Sequence, residues 1–112
     1  MAEVTIAAVL DFLRSALQSH GLRVEKLVLF GSQAKGNARE DSDLDVALVS
    51  PDFEGKDIFE RVEMTARANR ETIHRFVVPL DLVLLAPDEY ESRSSPVASF
   101  AREGRVVYEA QP

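Results

Sequence analysis

Apolar positions recur at helical spacing at two places in the chain, with two apolar runs lying between them and a third after. From Thr5 to His20 the residues Ile6, Val9, Leu10, Leu13 and Leu17 share one helix face, and Gly21 is placed to end that helix in a left-handed cap. Val24 to Phe30 alternates and then becomes wholly apolar, as a strand does when it enters a core. Ser32 to Lys35 allows one helical turn, and the polar GNAREDS stretch that follows reads as a surface loop. Leu44 to Val49 predicts a second strand, and Ser50 to Lys56, with Pro51 and Gly55, a connection. Ile58, Val62, Ala66, Ile73 and Phe76 then mark a long amphipathic helix, whose stripe has Asn69 as its polar break and whose outer face carries interleaved Glu and Arg. Val77 to Ala86 predicts a third strand, with Pro79 near its start where a missing donor is tolerated. A short helical turn over Pro87 to Glu91, a helix opened by Ser95 and Pro96 and capped at Gly104, and an edge strand over Arg105 to Glu109 complete the chain.

This order of helix, strand, strand, helix, strand and helix predicts an α/β (α+β) fold, a small mixed β-sheet flanked by helices. At 112 residues the chain is read as one domain, residues 1–112, able to bury about two-thirds of its unfolded surface. A net charge of -6 argues against nucleic acid as a main ligand, because that binding rests on Lys and Arg. The absence of Cys removes disulfides, thiolate metal sites and thiol nucleophiles. No stretch has the basic start of a signal peptide or the apolar length of a membrane span, so the expected location is the cytoplasm.

The chemistry concentrates between Leu27 and Val49, LVLFGSQAKGNAREDSDLDVALV. Period two puts Asp43 and Asp45 on one face, about 6.6 Å apart by strand rise. Carboxylates this close repel unless a cation lies between them, which makes a divalent metal the natural occupant; taken singly, the DSDLD segment reads equally well as a solvated strand entrance. Asp81 carries the same chemistry within the third apolar run. Were its strand adjacent, the three acids could hold two Mg²⁺ about 4 Å apart, an arrangement suited to phosphoryl or nucleotidyl transfer. Gly31 and Ser32, where the first strand ends, offer backbone N–H groups and a hydroxyl to a phosphate, and Lys35 is within reach of the same group. A P-loop is excluded, since Asn37 and Ala38 follow Gly36, and an EF-hand fails because Val46 stands where Gly is needed.

Gly31-Ser32, ten residues, Asp43-Leu44-Asp45 and the later PLDLVLL together resemble the minimal nucleotidyltransferase (MNT) domains of the DNA polymerase β-like superfamily. The resemblance implies a nucleotidyltransferase fold that binds a nucleoside triphosphate, ATP, with two Mg²⁺ ions and transfers a nucleoside monophosphate. By position, Gly31, Ser32 and Lys35 would hold the triphosphate, Asp43 and Asp45 would bind both metals, and Asp81 would complete the site. Gln33 departs from the basic residue often found there. Many such short domains resemble antitoxins that adenylylate a tyrosine on a helical HEPN-type partner. The competing expectation is a binding module that neutralises such a partner without chemistry. His20 and His74 are read as helix-surface residues, Tyr90 and Tyr108 as surface packing, and Arg61, Arg67 and Arg70 as a solvated face.

Overall fold

The computed structural model describes residues 5–31, 44–92 and 94–111. Helix α1 spans Ile6–Ser19, opened by Thr5, whose hydroxyl accepts the Ala8 N–H at 3.1 Å. It closes as predicted. Gly21, at φ 89, donates its N–H to Gln18, and the Leu22 N–H reaches the Leu17 carbonyl, the paired bonds of a Schellman motif that also turns Leu22 into the core.

Four strands form one sheet in the order β3-β2-β1-β4: β1 Lys26–Phe30, β2 Leu44–Val49, β3 Leu80–Leu85 and β4 Arg105–Glu109. β1 is antiparallel to both neighbours, whereas β2 and β3 are parallel, joined by the crossover helix α2, Ile58–Phe76. A 3-10 turn at Pro51–Phe53 buries Phe53, and two short helices, α3 Pro87–Glu91 and α4 Pro96–Arg102, precede β4. Alternation divides the sheet residues between two cores. Leu27, Leu29, Val46, Leu48 and Leu84 pack with α1 and α2, while Val28, Ala47, Val49 and Leu85 pack with Tyr90, Ala98 and Ala101 of α3 and α4. The product is a helix, sheet, helix sandwich with a mixed sheet, the predicted class.

Several boundaries and faces differ from expectation. β3 begins at Leu80, three residues late, because Val77 adopts a left-handed conformation (φ 53, ψ 50) and caps α2 through its N–H to Ile73. β1 likewise begins at Lys26, although Val24 is buried. The predicted apolar stripe of α2 meets the core only at Phe76: Ile58, Val62 and Ile73 are 57%, 51% and 37% exposed, and the buried residues are Thr65, Ala68 and Thr72. Threonine serves there because its hydroxyl is satisfied within the helix, Thr65 Oγ1 on Arg61 O at 3.1 Å and Thr72 Oγ1 on Ala68 O at 2.8 Å. Small inner side chains also let α2 lie close to the sheet and α1. Gly104 is not a left-handed cap. A Cβ there would meet the Leu29 carbonyl and, at 2.8 Å, Phe30 Cβ, so its smallness admits the α4–β4 corner against β1.

Side chains read as surface are also drawn in. Tyr90 is buried, with Lys26 Nζ 5.1 Å above its ring, and Tyr108 is half-buried beneath Arg14. Arg61 Nη1 donates to Leu84 O at 3.0 Å and to Glu89 Oε1 at 2.6 Å, tying α2 to the end of β3 and to α3. Burial raises the Glu89 carboxyl, but the Arg61 hydrogen bond and the Ala86 N–H, with the Arg61 charge, more than offset it and leave it below its ordinary value.

Asp52 accepts the Arg23 N–H at 2.9 Å and Arg23 Nε at 2.8 Å, bracing the entry to β1 against the 3-10 turn. Its carboxyl is held below the ordinary value chiefly by the Arg23 backbone N–H, with the guanidinium adding to this against the opposing effect of burial. A depressed folded-state pKa contributes stability that is present above the unfolded value, about 3.9, and is lost as pH falls through the folded one. Asp52→Asn is therefore expected to lower unfolding free energy at pH 7 by about 1 kcal/mol and to converge with the parent at acid pH. Urea denaturation across that range measures it. Gly104→Ala is expected to cost about 1–3 kcal/mol in the same assay, since backbone rather than a flexible side chain must give way.

Candidate active site

The site follows from strand register. Leu44, Val46 and Leu48 face α1 and α2, which turns Asp45 to the opposite face; in β3, Leu80, Leu82 and Leu84 do the same for Asp81. β2 and β3 are aligned with Asp45 directly opposite Asp81, and β1 places Phe30 opposite Asp45 on the other side. Phe30, Asp45 and Asp81 thus form one row across three strands, about 4.8 Å apart between neighbours. Below this row Val28, Ala47 and Val83 lead into the core that α3 and α4 cover. Asp45 is half-buried and Asp81 exposed, so the row marks the open end of that face.

Gly31 follows Phe30 directly and has φ 76, a conformation that side chains resist. A Cβ built there would overlap Asp45 Oδ2 and lie 3.3 Å from its Cγ. The main chain leaving β1 therefore passes against the Asp45 carboxylate, a close approach open to glycine alone. Both demands were invisible as geometry in the sequence, though the residue itself was singled out.

Of the expected site residues, the structure brings Gly31, Asp45 and Asp81 together. Ser32, Lys35 and Asp43 lie outside the described residues. Among the described residues no group of three His, Cys, Asp or Glu side chains could hold a metal, and Asp43 is the third acid that the sequence reading adds. Two adjacent carboxylates nevertheless fit a hard divalent cation, since they supply oxygen donors and their mutual repulsion is relieved by positive charge. Neither histidine joins them. His20 Nε2 lies 2.6 Å from Glu71 Oε1, linking α1 to α2, and His74 lies on α2.

Beside the row is a groove of about 690 Å³ between α2 and β3. Val62, Ile73, Leu82, Asn69 and Asp81 contribute to its walls, with Arg70 and His74 also lining it. Asn69 Oδ1 is buried there with no hydrogen-bond partner among the described residues. The sequence reading marked Asn69 only as a flaw in an inward stripe; since that stripe faces outward, the residue belongs to the groove.

The family model of the nucleotidyltransferase domain matches residues 10–108. Among solved structures, a protein from Sulfolobus solfataricus assigned as a nucleotidyltransferase superposes with a TM-score of 0.64 at 19% identity, covering 97% of this chain and 92% of its own. A chain from a toxin–antitoxin structure with AMP-PNP gives 0.64 at 20% identity over 90% of this chain and 73% of that one. A protein assigned as a minimal nucleotidyltransferase gives 0.53 at 25% identity, covering 93% and 97%. No protein of curated function matches significantly. Among the described residues no helix is long and apolar enough to cross a membrane.

Gly31→Ala is expected to fold with a loss of about 1–2 kcal/mol, because the left-handed conformation is costly with a Cβ and the Asp45 carboxylate must swing away. Thermal melting checks the first effect. Displaced Asp45 resonances in side-chain carboxyl NMR, with Asp52 unmoved, check the second.

Proposed function

The chain belongs to the nucleotidyltransferase domain family, and from that membership together with the Asp45–Asp81 row we propose that it transfers AMP from ATP to a protein hydroxyl. The acceptor in this reading is a tyrosine on a helical HEPN-type partner. The observation that carries it is the register placing Asp45 opposite Asp81 beside the Gly31 main chain, in a family defined by nucleotidyl transfer. The toxin–antitoxin structure with AMP-PNP supports an adenine nucleotide and a toxin-type protein partner in this reading.

In the reaction, the acceptor oxygen forms a bond to the α-phosphorus, the bond from that phosphorus to the bridging oxygen breaks, and pyrophosphate leaves with its electron pair. Asp43, Asp45 and Asp81 would hold two Mg²⁺, which would supply charge neutralisation to the triphosphate when bound. Asp81, at the exposed side of the row, accepts the acceptor's proton. Gly31 and Ser32 bind the triphosphate through main-chain N–H groups and a hydroxyl, with Lys35 adding charge. Asp45 is fixed between Phe30 and Asp81, so its carboxylate is oriented before substrate arrives.

A second reading, a module that binds its partner without chemistry, is favoured by the outward apolar residues Ile58, Phe59, Val62 and Ile73 on α2. Incubating the protein with Mg²⁺, ATP and the protein encoded beside it, followed by intact-mass analysis, separates the two. One or more AMP units on the partner are expected, with the rate falling about a hundredfold or more in Asp45→Asn and Asp81→Asn. Mg²⁺ should raise the parent's melting temperature and leave those of the variants unmoved. A stable complex with no mass change favours the second reading, and full transfer by either variant removes that acid from the site.

A further inference from the structure

β3 is an edge strand among the described residues, and its open side borders the row of acids. Leu44 N–H bonds to Pro79 O and Ser50 N–H to Leu85 O, which directs the odd-numbered backbone groups of β3 toward β2. The N–H and C=O of one residue in an extended strand point to the same side, so Leu80, Leu82 and Leu84 direct theirs outward. Arg61 Nη1 occupies the Leu84 carbonyl at one end, and Pro79 has no N–H to offer at the other. Between these, the Leu80 and Leu82 groups have no partner among the described residues. Natural sheets block an exposed edge with charge, bulges or proline. Here, among the described residues, both ends are closed and the backbone groups between them are unpaired, beside Asp81.

From this we propose that the open edge of β3 takes an extended segment of a partner protein as an added strand, which presents its acceptor hydroxyl beside Asp81. The proposal rests on the transfer reading for Asp81, although the docking itself does not need it. Three observations select an extended polypeptide. Paired outward N–H and C=O groups are complementary to another main chain, as in strand addition. Alternation then sends the added residue opposite Asp81 to the acid face and its two neighbours to the α2 face, where Val62, Ile73 and Leu82 line the groove. Asn69, whose Oδ1 has no hydrogen-bond partner among the described residues, adds a polar side chain to the lining of the same groove. Arg70 and His74 line this groove in a chain of net charge -6, and they complement an acidic residue on the segment. The recognised sequence is a hydroxyl residue between two apolar ones, with an acid nearby.

The test uses short random peptides displayed on phage, selected against the full chain without nucleotide, followed by amide exchange measured by NMR. Enriched peptides are expected to carry the apolar, hydroxyl, apolar pattern and to slow exchange at Leu80 and Leu82 about tenfold or more, while Asp81 and Val83, already directed at β2, stay unchanged. The double substitution Val62→Glu, Ile73→Glu, at outward positions that do not endanger the fold, is expected to weaken binding about tenfold or more. Absence of enrichment over that double variant, or bound peptide without protection at Leu80 and Leu82, overturns the proposal. Protection that rises with protein concentration and needs no peptide overturns it in favour of a second copy of this chain. Protection by peptide, with no AMP transferred to its hydroxyl once ATP and Mg²⁺ are added, sinks the transfer reading and leaves the docking edge standing.

Discussion

Like charges held side by side in adjacent strands are the constraint around which this structure is arranged. Asp45 and Asp81 are directly opposite in parallel register, and a slip of one residue would put Leu80 or Leu82 beside Asp45 and turn Asp81 away from it. That register is maintained by apolar packing on both faces: Leu44, Val46, Leu48, Leu80 and Leu84 on one side, Ala47, Val49 and Leu85 on the other. Each buried aliphatic side chain contributes about 1.5–3 kcal/mol, well above the repulsion of two partly solvated carboxylates. The core therefore sets the position of the acids.

The crossover helix mediates between core and site. Its inner face is unusually small, Thr65, Ala68 and Thr72, and the hydroxyls bond back to the helix, so little apolar area is contributed by α2 itself. Compensation comes from its ends. The Asp57–Glu60 capping box fixes the start, Arg61 bonds to β3 and α3, and His20 pairs with Glu71 from α1. A helix held by its ends and by polar ties can leave its apolar stripe outside, and this accounts for a groove in place of a packed interface along β3.

Much of the fold was legible because the signals were local. β2 and α2 have the predicted limits, α1 ends at the predicted glycine, and β4 is the predicted edge strand. What was not legible depended on long-range packing. Threonine counts as polar in a periodicity reading, so the inner face of α2 was assigned one position away from where it lies. Val77 has the branching of a strand residue, and only the local chain reversal shows that it caps a helix. Gly104 does follow the end of α4, but what requires a glycine there is the close approach to Leu29 and Phe30, which spacing does not show. At the site, residue types pointed to Gly31, Asp45 and Asp81, but strand order and register cannot be derived from spacing, and these are what turn separate acids into a pair.

The location of the acids at a sheet edge has a further consequence. A carboxylate pair in the middle of a sheet would have strands on both sides, leaving an acceptor to approach only from above, across the face where the triphosphate must also enter. With Asp81 on the outermost described strand, the nucleotide and acceptor of the proposed reaction would have different routes. In the proposed reaction the nucleotide would approach over the Gly31 turn and the acceptor from beyond β3, with the acids where the routes meet. In-line displacement requires attacking and leaving oxygens on opposite sides of the phosphorus, so separate entries from opposite sides of the acid row match the geometry of transfer. The same edge that would expose a structural domain to aggregation thus becomes useful in a transferase, provided that it is short and blocked at both ends, as Pro79 and Arg61 make it here.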